Sequence, residues 1–119
     1  MSNESLDRFE EFLPVFQNRQ DLVEKTAAQI QKDFAKAGIE LVFEKGQLTY
    51  QMLEKEMLPH LSNFLYKNPL KLKAIIYIID LEEGWQQRKP VDVKLENYLV
   101  YEIIRREFLK VLIKEKFSR

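Results

Sequence analysis

"LKLKAIIYIID", residues 70 to 80, is the most apolar stretch of the chain, and its reading decides between an all-helical fold and a mixed one. Ile75-Ile76 and Ile78-Ile79, set around Tyr77, are β-branched pairs of the kind enriched in buried strands. Just upstream, Asn68 followed by Pro69 supplies a favoured helix N-cap and the residue type over-represented at the first helical position. From there Leu72, Ile75, Ile76 and Ile79 form one stripe at helical spacing, widened by Tyr77, Ile78 and Leu81, and only Lys71, Lys73 and Asp80 interrupt the apolar surface. A lone strand would find few partners among the helical patterns around it, so the stretch is assigned to a helix that Gly84 ends. Being apolar nearly all round, it is expected to be the central helix of the domain.

Upstream, "TYQMLEKEMLPHLSNFLYKN" aligns Leu53, Met57, Leu61, Phe64 and Leu65, with Thr49 as N-cap and Leu48 and Leu53 as a hydrophobic staple. Pro59 has no amide hydrogen to give and is expected to kink this helix. "IELVFEKGQLTY" before it alternates Ile39, Leu41 and Phe43, which predicts a short extended segment, or a hairpin, near residues 39 to 50. Residues 21 to 37 place Val23, Ala27, Ile30, Phe34 and Ala37 on one helical face. Gly38 then stands where a left-handed stop belongs, and Phe34 and Ile39 are the apolar pair that accompanies a Schellman motif. Residues 5 to 17 carry Leu6, Phe9, Leu13 and Phe16 at helical spacing, with Asn3 or Ser5 to cap and Pro14 to kink or end the helix.

Downstream, "EEGWQQRKPVD" is the main loop, and Asp92 is the expected cap of a last helix over residues 92 to 117. That helix has a dense stripe of Val93, Val100, Ile104, Phe108, Val111 and Leu112. A second set, Leu95, Leu99, Ile113 and Phe117, lies on another side. The expected architecture is therefore an all-α bundle of about five helices in a single domain over residues 1 to 119, with the extended piece between its second and third helices.

Composition narrows the function classes. Nineteen bases balance nineteen acids, so no net field steers the molecule to nucleic acid or an anionic membrane. The balance is uneven: residues 1 to 18 hold four acids against one base, and residues 88 to 119 hold nine bases against five acids, so an acidic first helix is expected near a basic last one. Without cysteine there are no disulfides, thiolate nucleophiles or cysteine metal sites. "MSNESLDRFEEF" has neither the basic nor the apolar region of a secretory signal, and no run is apolar enough to span a bilayer, so the cytoplasm is the expected setting.

Chemistry-bearing motifs are few. The three glycines are far apart and form no phosphate loop. His60 is the sole histidine, and Glu56 four residues before it completes no metal-ligand pattern, so no metal and no cofactor are expected. Asp80, at the end of an apolar helix and three residues from Tyr77, is the one carboxylate that a small metal-independent enzyme would use; pairing with Arg105 or Arg106 is the plainer expectation. Trp85 is the one tryptophan, either a binding residue or a lid over the core. Arg105, Arg106, Lys110, Lys114, Lys116 and Arg119 are the only nucleic-acid-like feature, interleaved with Glu102, Glu107 and Glu115. The economical reading is a cytoplasmic protein-interaction or structural module that binds a second copy or another protein. Its expected contact residues are Trp85, Leu95, Leu99, Arg105, Arg106, Ile113 and Phe117, with nucleic-acid binding as the alternative and catalysis a distant third.

Overall fold

In the computed structural model of the protein, which describes residues 9–117, five α-helices follow one another: α1 (Phe9–Gln17), α2 (Gln20–Lys36), α3 (Tyr50–Lys67), α4 (Pro69–Ile79) and α5 (Leu95–Phe117). A short 3-10 turn, Trp85–Arg88, lies in the loop before α5. No strand occurs among the described residues; the segment between α2 and α3 is unpaired, so the hairpin does not form. It is held down by burial of Ile39, Leu41 and Leu48 and by the Gln31 amide, which donates to the Leu41 carbonyl at 2.9 Å.

Local signals act where the sequence puts them. α2 ends in a Schellman motif: the amide of Ile39 bonds the Phe34 carbonyl at 3.0 Å and that of Gly38 bonds Ala35 at 2.9 Å, with Gly38 at φ 80°. Thr49 Oγ1 accepts from the Met52 amide at 3.2 Å, and Leu48 and Leu53 are both buried beneath that cap. Asn68 Oδ1 accepts from the Lys71 amide at 3.2 Å, with Pro69 as first residue, so residues 69–79 are helix despite their isoleucines.

Two boundaries and one face differ from expectation. α4 stops at Ile79 rather than at Gly84, because Asp80 itself takes the left-handed conformation, φ 65°. The Leu81 amide then bonds Ile76 and the Asp80 amide bonds Tyr77, a second Schellman motif with Asp in the glycine position. α5 begins at Leu95, so Asp92 does not cap it; residues 90–93 form a turn closed by the Val93 amide on Pro90. α1 runs through Pro14 to Gln17. Its buried residues are Phe12 and Phe16, and Phe9 is instead 40% exposed; Leu6 and the proposed caps lie outside the described residues.

The largest correction concerns the centre. α4 buries only Ile75 and Ile79, leaving Leu70 78% and Tyr77 85% exposed. α5 touches all four other helices and the 3-10 turn, and residues 98–104 are buried without interruption. At 1.5 Å per residue its 23 residues span roughly 35 Å, most of the 40 Å length of the molecule. The longest helix is the axle. The acidic first helix does pack on it, but through rings: Phe12 lies 5.6 Å and Phe16 5.3 Å from Phe108, both edge-on.

Candidate functional site

The expected contact residues separate into buried and exposed groups. Leu99 is fully buried, which corrects it from surface to interior, and Trp85 is 5% exposed with its ring stacked 6.3 Å from Tyr98, so of its two readings it takes that of a lid over the core. Leu95 is half-buried against that core. Ile113 and Phe117, one helical turn apart, are 54% and 75% exposed. The second apolar stripe of α5 is thus absorbed in its N-terminal half and emerges only in its last two turns. No sequence signal separates the halves, because the covering residues come from other helices.

Arg105, Arg106 and Lys110 of α5 are paired with acids of the fold. Arg106 reaches the end of α4, with its Nη2 on Asp80 Oδ2 at 3.0 Å and its Nε on the Asp80 carbonyl at 3.1 Å. Asp80 is nevertheless 80% exposed, as is Tyr77 beside it, so no enclosed acid/base site forms there. Arg105 and Arg88 both bind Glu102 Oε1, at 3.2 and 3.3 Å, and Tyr98 donates its hydroxyl to the other oxygen. Burial and then that hydrogen bond push the Tyr98 phenol up to about 12. Glu102, itself 2% exposed, is tolerated in the core because three donors converge on it and anchor the loop before α5.

A second buried acid cluster joins α2 to α5. Lys110 Nζ lies 2.9 Å from Asp33 Oδ2 and 3.1 Å from Glu107 Oε1, and both acids are almost completely buried. Neither Glu107 oxygen finds a donor with hydrogen-bond geometry, which a proton on Glu107, donated to Asp33, resolves. Burial first, and the Asp33 carboxyl second, push Glu107 up to about 8. Burial alone would also raise Asp33, but hydrogen bonds from Glu107, Lys110 and Gln29 hold it below its ordinary value. The sequence contains a trace of this pair: Glu107 falls at the edge of the dense stripe, beside Val100.

A cleft of about 560 Å³ opens where α1, α3 and α5 meet the loop before α5. Phe9, Tyr50, Tyr98 and Tyr101 form its aromatic walls. At its α3 side the Asn97 amide donates to Glu54 Oε2 at 3.3 Å, and Gln17 Oε1 of α1 accepts from the Tyr50 amide at 3.1 Å, which joins the three helices around the opening. Burial, with Glu54 second, raises the Tyr50 phenol, so it stays protonated. Sequence reasoning missed this site because its rings come from segments dozens of residues apart. His60, half-buried on α3, stands 6.4 Å from Phe64, away from the cleft lining. Compared with models of protein families, with curated proteins and with solved structures, the chain has no match in any of the three.

Proposed function

We propose that the chain is a small cytoplasmic protein-interaction module that self-associates through the C-terminal end of α5. The observation that carries the reading is the exposure of Ile113 and Phe117, one turn apart, on a helix whose other large apolar side chains are covered. A second copy is the occupant in this reading, since a two-fold axis beside the helix end sets the same pair of side chains against itself. Leu109 and Leu112, partly buried nearby, border the contact. Two exposed side chains fall well short of the ~800 Å² per partner of a standard interface, so association is weak and concentration-dependent.

Light scattering across a concentration series should show mass rising toward a dimer. Ile113→Glu with Phe117→Glu should return a monomer with an unchanged unfolding midpoint. A monomer at every concentration up to the millimolar range would remove the proposal. Self-association is preferred to the nucleic-acid alternative because, among the described residues, Arg105, Arg106, Lys110 and Lys114 are engaged by Glu102, Asp80, Asp33 and Gln29 within the fold. The cytoplasmic setting rests on the cysteine-free composition.

A further inference from the structure

The cleft between α1, α3 and α5 combines two fields that attract the same kind of ligand. Phe9 meets Tyr50 at 5.2 Å and 71° and Tyr101 at 5.9 Å and 65°, while Tyr98 lies 5.8 Å from Tyr101. Rings set at such angles form walls rather than a stack, and each ring face carries negative potential. Glu10, Glu54 and Asp92 add three carboxylates to the lining. Among the described residues Arg88 is the only cationic side chain in the lining, and Glu82 and Glu102 already hold its guanidinium, each at 3.3 Å. The volume, about 560 Å³, is that of a small-ligand pocket.

We propose that this cleft binds an organic cation, an alkylammonium or quaternary ammonium head group. The rings surround its methyl or methylene groups and the carboxylates answer its charge. Aromatic walls favour such a weakly hydrated cation over a metal ion, which exchanges its water shell only for oxygen ligands. The same head group occurs in free quaternary amines and on methylated lysine side chains. This site is independent of the self-association proposed above, which uses the opposite end of α5.

The test is calorimetry on the full chain, with Trp85 fluorescence as a second readout because that ring stacks on Tyr98 of the cleft. The probes are choline, its neutral analogue with carbon in place of the quaternary nitrogen, and a short peptide carrying trimethyllysine. At least one cationic probe should bind ~10-fold more tightly than the neutral analogue. Phe9→Ala, and Glu54→Gln combined with Asp92→Asn, should each weaken that binding ~5-fold or more in variants that still unfold cooperatively and are folded at the temperature of the titration. Choline binding the tighter assigns the site to a free amine, and the peptide binding the tighter assigns it to a modified protein tail. Equal affinity for charged and neutral probes, no saturable binding of either cation, or full affinity in both folded variants overturns the proposal.

Discussion

Helices α4 and α5 meet at the Arg106–Asp80 pair, yet they hold opposite stations in the molecule. α4 buries two of its 11 residues and lies against α2, α3 and α5 along one side. α5 buries ten of its 23 and is wrapped by every other element, although Glu102, Arg105, Glu107 and Lys110 are distributed through the wrapped part. The difference teaches that centrality follows from length and connectivity, and that an apolar helix can be peripheral. A long helix can take a central position with charges in it when neighbouring elements bring partners to each charge. α4 exposes Leu70 and Tyr77, by contrast, because no other described element covers them.

Truncation gives the largest separation between the two helices. Phe108→Ala in α5 should cost about 4 kcal/mol, as expected for emptying a ring-sized volume in a close-packed core. Urea unfolding measures it, and a loss below ~1 kcal/mol would mean that the α5 core is loosely packed.

Next in size is the buried acid pair. The Glu107 carboxyl is pushed up to about 8 from an ordinary value of 4.5, so between those values the folded chain holds a proton that the unfolded chain releases. Stability from this group is therefore fully present below pH 4.5 and declines as pH rises toward 8, after which it levels. Glu107→Gln keeps a donor for Asp33 without that penalty, so it should stabilise the chain at neutral to mildly alkaline pH by about 2 kcal/mol. Its stability should also vary less across the window. Thermal melts of both proteins from pH 5 to 9 check this, and parallel curves would contradict the shared proton.

Asp80→Ala should destabilise by about 1 kcal/mol, because alanine tolerates φ 65° less well than aspartate and loses Arg106. Asp80→Gly should recover most of that loss. If both variants melt alike, the left-handed stop is not what matters there. Smallest of all, Tyr77→Ser on the outer face of α4 should stay within about 0.5 kcal/mol of the parent. A larger loss would show that this face is covered in solution.

Much of the fold was legible where a signal acts within one turn. Asn68-Pro69, Thr49 with its Leu48–Leu53 staple, and Gly38 between Phe34 and Ile39 each satisfy their own helix end, so neighbouring residues suffice to read them. Asp80 was legible only in retrospect, since aspartate adopts the left-handed stop far less often than glycine. Of the residues expected to bind a partner, Ile113 and Phe117 are exposed, whereas Trp85 and Leu99 are interior. Helical periodicity shows which residues share a face but not what that face meets.

By itself, then, the sequence determined the number and type of elements, most of their ends, and the absence of cysteine chemistry, because caps, stops and apolar spacing are local properties. Only the tertiary structure decided that α5 is the axle, that Glu107 lies against Asp33, and that four rings from α1, α3 and α5 line one cleft. Those are contacts between residues far apart in the chain, and they arise when covering one helix leaves another uncovered. The amino-acid order states each helix's apolar surface, while the competition among helices for a single interior settles which surfaces stay in water.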